Sequence, residues 1–440
     1  MATPVVRFGL LGCGTVGQGV VMELRAAQGR IADEYGMRLE LAGVAVRNPR
    51  KPRSVSLPRR LLRAPVDIIN DPNIPIIVEL VGGVEEAKRF VRAALTAGKH
   101  VITANKALLA ADARKLFQLA AEHACLIRFE ASVGGGIPII ATLRRHYAGD
   151  TISGISGIIN GTTNYILSQM AEERIEFFVA LKRAQELGYA ERDSKSDISG
   201  ADAACKLAIL CSLAFGVSVE VGSISTRGIE LIRQQDIEEA RRLGYVIKLL
   251  AIGRRHDGRF ELRVEPVMTS KRADLASVSG ALNAISVYGK FSGRQTFLGK
   301  GAGQMPTATS VFADLVEVAH HFLHGSGAPE LVPLCWRNGQ SSEYRVLKPE
   351  FIRSKFYLRV GLEDRPGAIA QVAKALGRAG VSIGDAQQRK PMGLARTAPV
   401  PFVITTDPTS RRTFLEAITA IRALRCIKAP IMWLPIEDEL

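Results

Sequence analysis

In the first part of the chain, short apolar runs alternate with stretches of helical character. A helix-compatible stretch follows the first run up to about Ala27, and Glu85–Ala97 has a helical periodicity that stops at Gly98, a C-cap signal. Strands that alternate with helices in this way predict a parallel, doubly wound α/β sheet. The runs that predict buried strands are Val5–Leu11, Leu39–Val46, Ile74–Val81 and His100–Thr103.

Further along the chain the pattern becomes mixed, and we expect a second, α+β domain over residues 136–304. A strand over Ile152–Ile159 leads into the turn Asn160–Asn164 and then into a long helical region. Small and charged residues fill Gly188–Asp202, and a clearly apolar helix follows over Ala203–Phe215.

The rest of the chain predicts a returning helix, a linker and a third domain. We expect residues 305–324 to form a helix that packs back on the first domain, which spans residues 1–135. Polar sequence with Gly, Ser and Pro predicts a linker over 325–354. Residues 355–440 have the order β-α-β-β-α-β, which is typical of a ferredoxin-like fold. Its elements are the strands Phe356–Leu362, Ser382–Gln387, Phe402–Thr405 and Ala429–Leu434 and the helices Gly367–Ala379 and Thr413–Leu424.

The charge balance favours anionic partners. The 440 residues carry a formal net charge of +15, and the sequence pI is about 9.7. Such a charge suits nucleotide cofactors and carboxylate substrates, whereas no basic motif interleaved with aromatic residues indicates nucleic acid binding. Part of the excess lies in a stretch that is either a solvated loop or a phosphate contact: Arg47, Arg50, Lys51, Arg53, Arg59, Arg60 and Arg63.

Cysteine usage and the N-terminus predict a cytoplasmic protein. Six cysteines without a CxxC pair suit unpaired thiols in a reducing compartment. The chain opens almost directly into the strand Val5–Leu11, with neither a signal-peptide layout nor an apolar run of membrane-spanning length. We therefore expect no membrane partner.

Gly12, Gly14 and Gly17 have the G-x-G-x-x-G spacing of a dinucleotide site, between a predicted strand and a predicted helix. Glycine allows a tight turn and the close approach of a pyrophosphate, and the first N–H groups of the helix, at Thr15, Val16 and Gly17, attract phosphate. The sequence therefore predicts a Rossmann-type domain that binds NAD or NADP.

The choice between these two cofactors depends on the end of the second strand. Asp33 has about the spacing of a ribose-binding acid, but it falls in the crossover before that strand. Arg47 stands at the strand end with Lys51 nearby, and both side chains suit a 2′-phosphate. We therefore expect NADP rather than NAD, with an exposed Arg47 that has no special role as the alternative.

Two further groups of residues have the spacing of an ion pair or of metal ligands, but neither group identifies a function by itself. Asp202 and Lys206 share one face of a predicted helix, a spacing that is typical of a surface ion pair. His320, His321 and His324 share part of a helix face, but no carboxylate or cysteine stands near them as a further ligand. We therefore do not expect a zinc site there.

Several motifs taken together resemble those of the homoserine dehydrogenase family across nearly the whole chain, and their joint order makes the resemblance specific. It implies the NAD(P)-dependent interconversion of homoserine and aspartate 4-semialdehyde, a step in threonine, methionine and isoleucine biosynthesis. The motifs are Leu10–Gly17, Thr103–Lys106, Asn160–Tyr165, Gly188–Glu191, Asp197–Lys206 and Gly301–Gly303.

The resemblance also implies roles for individual residues. It makes Lys206 the expected proton donor to the semialdehyde oxygen and Asp202 a residue that orients Lys206 or binds substrate. It places Lys106 between nicotinamide and substrate, and it makes Glu191 the expected ligand of the substrate ammonium group. The other residues that it assigns are Tyr189, Gly161, Thr162 and Asp197 for the substrate and Thr103, Lys106 and Gly303 for the cofactor.

The run Glu130–Pro138 matches a family segment in which backbone carbonyls can hold a sodium ion. By position, these carbonyls belong here to Glu130, Val133, Gly135 and Ile137. Main-chain oxygens suit a hard cation, and a tight glycine-rich turn without metal is equally consistent with the sequence.

Residues from about Phe356 resemble an ACT domain, notably at Asp364–Gly367 and Gly380–Ile383. Such domains pair edge to edge and bind amino acids at the shared surface, so the resemblance implies feedback inhibition, with threonine as the expected effector. It also implies a homodimer or homotetramer, in which the middle domain is the catalytic and dimerisation domain. The loop Arg389–Pro399 departs from the compact pattern and leaves the identity of the effector open.

Two other interpretations stay open. The chain could be a different oxidoreductase on the same scaffold, which a comparison of homoserine with other hydroxy-amino acids would reveal. It could also be a non-catalytic sensor linked to an ACT domain, but the set of lysines and carboxylates named above argues against this. A phosphorylating semialdehyde dehydrogenase is not expected, because no cysteine lies in a motif of an acyl-enzyme nucleophile.

Overall fold

The computed structural model describes residues 3–325, 332–337, 344–389 and 398–438. Contacts between residues group the chain into two compact units. The first unit comprises residues 1–155, 202–224 and 282–344, and the second comprises residues 156–201, 225–281 and 345–440. Each unit therefore combines segments that are distant in sequence.

In chain order, the strands are β1 (Val5–Leu11), β2 (Arg38–Ala45), β3 (Ile76–Glu79), β4 (His100–Thr103), β5 (Ile127–Arg128), β6 (Ile152–Ile158), β7 (Ser225–Thr226), β8 (Tyr245–His256), β9 (Arg259–Ser270), β10 (Leu282–Gly289), β11 (Gly293–Lys300), β12 (Arg345–Val346), β13 (Arg353–Leu362), β14 (Ile383–Gln388), β15 (Val400–Thr406), β16 (Thr409–Ser410) and β17 (Ile427–Glu437).

The helices are α1 (Thr15–Tyr35), α2 (Pro65–Ile69), α3 (Glu85–Thr96), α4 (Lys106–Glu122), α5 (Ile139–Arg145), α6 (Gly161–Glu173), α7 (Phe177–Glu186), α8 (Lys195–Ile198), α9 (Ala201–Phe215), α10 (Gln234–Arg242), α11 (Gln304–His324), α12 (Leu334–Arg337), α13 (Ala368–Arg378) and α14 (Arg411–Arg422). Among the described residues, no helix combines the length and the apolar character that crossing a membrane requires.

The first unit contains a parallel sheet with the strand order β2-β1-β3-β4-β5. All residues of β3 and most of β1 are buried, as the continuous apolar runs predict for strands that are covered on both faces. The strand order reverses between β1 and β3, and doubly wound sheets bind their ligands at the carboxyl ends of the strands beside such a reversal. The predicted doubly wound α/β sheet is confirmed.

Helix α11 packs against α1 in the first unit. A Cβ atom on Gly19 would lie 2.7 Å from the Cβ of Ala308, so the two helices approach closely at this glycine. Both helices contribute to one hydrophobic core, to which Val20, Leu24 and Val311 belong. The antiparallel hairpin of β10 and β11 lies in the same unit.

The second unit contains a mixed sheet with the strand order β8-β9-β17-β13-β15-β14. Strands β8 and β9 pair antiparallel along their whole length. The last strand of the chain, β17, runs parallel to β9, with Ile436 opposite Met268. Strands β7 and β12 also pair with β9, and β16 pairs with β13.

The part of this sheet from β13 to β17 is the predicted ferredoxin-like domain, with the strand order β17-β13-β15-β14. Helices α13 and α14 pack on these strands through a common core that includes Val372, Ile404 and Ile418. The rings of Phe356 and Phe414 stack with their centroids 4.1 Å apart. The ferredoxin-like fold predicted for this region is confirmed.

Most predicted elements lie close to the observed ones, with two corrections. The first helix, predicted to about Ala27, continues to Tyr35. Residues 160–164, predicted as a turn, are instead the N-cap and the first turn of α6. Asn160 Oδ1 accepts a hydrogen bond from the Thr163 N–H at 2.9 Å, so the asparagine satisfies a donor that a helix N-terminus leaves free. The predicted loop Arg389–Pro399 lies almost wholly outside the described residues, as does part of the predicted linker 325–354.

Candidate active site

Two lysines that are distant in sequence bind one carboxylate in the first unit. Asp202 Oδ1 lies 3.0 Å from Lys106 Nζ, and Asp202 Oδ2 lies 2.7 Å from Lys206 Nζ. The side chains of Asp202 and Lys206 are 9% and 11% exposed, whereas that of Lys106 is 41% exposed. The spacing along α9 predicted the ion pair of Asp202 with Lys206, and the fold brings Lys106 to the same carboxylate.

Local helix geometry places these three side chains. Asp202 and Lys206 occupy consecutive turns of α9, whose other residues are mostly apolar and buried. Lys106 is the first residue of α4 and comes shortly after β4. Asn105 fixes this position, because it accepts a hydrogen bond from the Leu108 N–H at 3.0 Å and caps the helix. Lys106 therefore stands near the carboxyl end of a parallel strand, where ligands of doubly wound sheets bind.

In the second unit, the predicted substrate residues Thr162, Tyr189 and Asp197 lie at the N-terminus of α6. The Asn160 side chain donates a hydrogen bond to Asp197 Oδ1 at 2.7 Å, and Thr162 Oγ1 donates to the Tyr189 carbonyl oxygen at 2.6 Å. Asn160 was not predicted as a site residue, although it lies in a motif that carries the resemblance. The two remaining predicted residues are Gly161, which is the first residue of α6, and Glu191, whose side chain is exposed.

The glycine turn after β1 has the geometry that a pyrophosphate requires. Gly12 has a φ of +97°, and a Cβ atom there would lie 2.4 Å from the carbonyl oxygen of Leu80. A Cβ atom on Gly17 would lie 2.4 Å from the carbonyl oxygen of Gly12. Gly14 faces open space, with no atom within 4 Å of its Cβ position. Since α1 begins directly after Gly14, its first N–H groups are available to a phosphate, and a dinucleotide fits this turn.

A cleft of about 920 Å³ extends from this turn along the ends of β1, β2 and β3. Arg47, Lys51 and Arg53 are among its lining residues. Arg47 is 88% exposed on its side chain and pairs with Glu86 at 3.1 Å. Arg53 donates a hydrogen bond to the carbonyl oxygen of Cys13 at 3.2 Å, which holds a guanidinium group beside the glycine turn. The volume suits a cofactor of nucleotide type, and the three cations suit its phosphates.

Comparisons with known proteins decide the family. The model of the homoserine dehydrogenase NAD-binding domain matches residues 12–130, the homoserine dehydrogenase model matches residues 138–316, and the ACT domain model matches residues 356–423. A homoserine dehydrogenase of Bacillus subtilis is 38% identical over 424 residues, which cover 96% of each chain. This chain belongs to the homoserine dehydrogenase family.

Solved structures of homoserine dehydrogenases agree with this assignment. One from Thiobacillus denitrificans matches with a TM-score of 0.91 at 38% identity, covering 99% of this chain and 98% of that chain. A hyperthermophilic archaeal homoserine dehydrogenase in complex with NADPH matches with a TM-score of 0.60 at 25% identity, covering 74% of this chain and 99% of that chain. By family, the protein is therefore a homoserine dehydrogenase, an oxidoreductase that acts on a CH–OH group. The prediction of an enzyme is confirmed, and the alternative of a non-catalytic sensor is not supported.

A buried carboxylate beside the cofactor cleft of this homoserine dehydrogenase escaped the sequence analysis. Glu79 ends β3, is fully buried, and accepts hydrogen bonds from Thr103 Oγ1 at 2.6 Å and from the Val81 N–H at 2.7 Å. Burial raises the pKa of this carboxyl group, against the lowering effect of these hydrogen bonds. Glu79 thus joins the ends of β3 and β4, where Thr103 is a predicted cofactor residue. The sequence carried one signal of this residue, because Glu79 is the single acid inside the apolar run Ile74–Val81, which predicts a buried strand.

In the turn over residues 130–137, several backbone carbonyls already accept hydrogen bonds. The Gly135 oxygen accepts from Ser310 Oγ at 2.6 Å, and the Ile137 oxygen accepts from the Ile139 N–H at 2.8 Å. The Glu130 oxygen accepts from the Val133 N–H at 3.5 Å. Since a carbonyl oxygen has two lone pairs, these groups keep a position for a hard cation. The last predicted cofactor residue, Gly303, is the N-cap of α11.

The three histidines of α11 have different surroundings. The rings of His320 and His324 lie 4.5 Å apart, while the ring of His321 lies 5.8 Å from that of His100. Over the part of the chain that the structure describes, no group of three His, Cys, Asp or Glu side chains is arranged to hold a metal ion.

Proposed function

We propose that this homoserine dehydrogenase interconverts L-homoserine and L-aspartate 4-semialdehyde at the group formed by Lys106, Asp202 and Lys206. The observation that carries the proposal is the one carboxylate shared by two ammonium groups, at 3.0 and 2.7 Å. Two lysines and one aspartate leave a net positive charge. Such a charge stabilises the negative charge that develops on a carbonyl oxygen during its reduction.

Lys206 is the proposed proton donor. When it is bound, the nicotinamide cofactor supplies the hydride chemistry at the substrate carbon. Lys206 gives a proton to the substrate oxygen in the direction of reduction and takes it back in the direction of oxidation. Asp202 holds the ammonium group of Lys206 in one orientation. Lys106, which is the more exposed lysine, polarises the same oxygen.

Glu191 is the proposed ligand of the substrate ammonium group, because an exposed carboxylate suits an amino-acid cation. Tyr189, Gly161, Thr162 and Asp197 are the proposed neighbours of that group. Their support is the pair of hydrogen bonds that holds Asp197 and Tyr189 at the N-terminus of α6.

NADP is the proposed cofactor, bound by the glycine turn and the cations of the cleft. Arg47 and Lys51 line the cleft just beyond β2, and Asp33 lies within α1 rather than at the strand end. A guanidinium group at this position favours a 2′-phosphate over a free ribose hydroxyl. The complex of the archaeal relative with NADPH supports the same choice.

We also propose a sodium ion in the turn over residues 130–137, held by the carbonyls of Glu130, Val133, Gly135 and Ile137. The support is the chemistry of main-chain oxygens in a glycine-rich turn. Replacing sodium chloride by N-methylglucamine chloride at equal ionic strength should lower the melting temperature. An unchanged melting temperature would remove the sodium site.

The ACT domain supplies an amino-acid effector site, and L-threonine is the proposed effector. In the described part of the chain, β14 forms the edge of the sheet and most of its residues are exposed, so two copies can pair there. We propose a homodimer or homotetramer on this basis, in the cytoplasm. Millimolar L-threonine should inhibit the full-length enzyme while L-serine does not, and equal activity with and without L-threonine would contradict the proposal.

The experiment that tests the proposed reaction is a spectrophotometric assay of nicotinamide reduction. L-Homoserine should reduce NADP, and NAD less efficiently, while L-serine and L-threonine should give little activity. A preference for another hydroxy-amino acid would replace homoserine as the substrate and would favour a different oxidoreductase on the same scaffold.

A further inference from the structure

Within the second unit, Arg227 connects the segment after β7 with the ACT domain. Its guanidinium group lies 4.0 Å from the centre of the Trp433 ring and donates to the Trp433 carbonyl oxygen at 3.2 Å. It also contacts the buried Glu265 at 3.3 Å. Trp433 belongs to β17, in the ACT domain, whereas Arg227 directly follows β7. The arginine therefore binds the ACT domain from a segment outside it.

The segment that carries Arg227 packs tightly on the turn that contains Asp197. The Ile229 N–H donates to the Ile198 carbonyl oxygen at 2.9 Å. A Cβ atom on Gly228 would lie 2.2 Å from that same oxygen, and one on Gly200 would lie 3.1 Å from Thr226. At such distances neither the segment 226–229 nor the turn 197–200 can shift without moving the other.

The turn itself holds a proposed substrate residue. Asp197 accepts the hydrogen bond from Asn160 at 2.7 Å, and its carbonyl oxygen accepts from the Gly200 N–H at 3.0 Å. Residues 197–200 then lead directly into α9, which carries Asp202 and Lys206. A displacement of Arg227 would therefore change the position of Asp197.

We propose that Arg227 is a positioning residue, through which the ACT domain sets the substrate affinity of the turn 197–200. This proposal rests on the proposed homoserine reaction and on Asp197 as a substrate residue. The guanidinium group acts through the backbone of residues 226–229, with no contact of its own to the substrate.

Arg411 provides a matched control within the same network. It belongs to α14 of the ACT domain, forms an ion pair with the same Glu265, and lies 5.7 Å from the centre of the same Trp433 ring. Its side chain reaches this network from the ACT domain and not from the segment that packs on the turn. Replacing either arginine by methionine removes one positive charge from Glu265, but only Arg227→Met releases the turn.

The test compares steady-state kinetics of the full-length wild type, Arg227→Met and Arg411→Met, after homoserine-dependent activity of the wild type has been established. Arg227→Met should raise the KM for homoserine by about tenfold, within the range of mutations that alter coupling between sites. Its kcat and its KM for the nicotinamide cofactor should change by less than about twofold. Arg411→Met should lower the melting temperature and leave the KM for homoserine unchanged.

A second variant and a second measurement keep the proposal testable if Arg227→Met folds poorly. Arg227→Lys keeps the charge but loses the planar stacking, so it should show an intermediate rise in KM. Hydrogen exchange should become faster at Gly200 and Ile229 in both Arg227 variants and stay slow in Arg411→Met. An unchanged KM in Arg227→Met, or an equal rise in Arg411→Met, would overturn the proposal. An inactive wild type would instead overturn the proposed reaction.

Discussion

At the scale of single residues, Asp202 organises the proposed chemistry because it is the common partner of two cations. Lys206 is nearly buried while Lys106 is 41% exposed, so the two ammonium groups are not equivalent. A proton held by a buried lysine is delivered to a defined atom, whereas the exposed lysine exchanges readily with water. This difference supports the proposed roles, in which Lys206 transfers the proton and Lys106 polarises the substrate oxygen.

Arg47 should determine the cofactor preference. Replacing it by aspartate removes a partner of a 2′-phosphate and supplies an acceptor for a ribose hydroxyl group. We expect the ratio of kcat/KM for NADP to that for NAD to fall by at least about tenfold, measured with homoserine in excess. Arg50→Asp makes the same charge change in the same exposed loop, and it should leave the ratio nearly unaltered. If Arg47→Asp also leaves the ratio of kcat/KM for NADP to that for NAD unaltered, Arg47 is an exposed side chain with no role in cofactor preference.

His100 should make the enzyme less stable in acid. Burial, followed by the charges of His321 and Arg128, lowers the pKa of His100 from 6.5 to about 4. Because the unfolded chain binds a proton at higher pH than the folded chain does, the stability from this group is complete above pH 6.5. It is lost as the pH falls towards 4, at up to about 1.4 kcal/mol per pH unit.

Denaturant titrations at several pH values check the effect of His100. His100→Asn keeps an acceptor for the Leu126 N–H, which His100 Nδ1 now binds at 3.0 Å, and it should flatten the acid side of the stability profile. His123→Asn replaces an exposed histidine and should keep the wild-type profile. Superimposable profiles for wild type and His100→Asn would refute the assignment.

At the scale of elements, the apolar patterns gave most strands and helices to within a few residues, although α1 continues to Tyr35 rather than ending near Ala27. The β4 strand His100–Thr103 has the predicted ends, and α3 ends one residue earlier than predicted. Residues 160–164 were predicted as a turn because they lack apolar periodicity, although an asparagine directly before a helix is an N-cap signal, and Asn160 caps α6. The pair of Asp202 and Lys206 followed from helix spacing, and the resemblance placed Lys106 in the same site. The ion pair of Lys106 with Asp202 depends on the packing of α4, and the spacing of the residues carries no signal of it.

The last strand, β17, should stabilise the sheet through one carboxylate. Arg263 on β9 is fully buried and forms ion pairs with Glu261, Glu265 and Glu437, the last of which ends β17. Glu437→Gln should lower the free energy of unfolding by roughly 3 kcal/mol, because it leaves part of a buried charge without its partner.

The adjacent Asp438 is a matched control for that measurement. Its carboxylate pairs with Lys355 at 2.8 Å, and both side chains are more than a third exposed, at 36% and 43%. Asp438→Asn should therefore cost less than about 1 kcal/mol in urea unfolding. Equal costs for the two variants would show that the buried network contributes nothing beyond a surface pair.

At the scale of the whole molecule, the ACT domain and strands β8 and β9 share one sheet in the second unit. The sequence placed the ACT domain behind a linker and gave no sign of this, because the pairing of β17 with β9 joins strands far apart in the chain. It follows that a truncation before Lys355 would remove a strand next to β9 as well as the proposed effector site. Point variants of the full chain are therefore the sounder test of regulation.

In the proposed reaction, Lys206, held by Asp202, transfers the proton in the oxidation of homoserine. The most direct measurement is the rate of a single turnover with saturating homoserine and NADP for Lys206→Ala and for Lys88→Ala. Lys88 pairs with the buried Asp112 at 2.7 Å, so this control removes a comparable ion pair from another helix. We expect a loss of about a thousandfold or more in Lys206→Ala, with unchanged cofactor affinity, and a near-normal rate in Lys88→Ala. A near-normal turnover rate in Lys206→Ala would contradict the proposed role of Lys206.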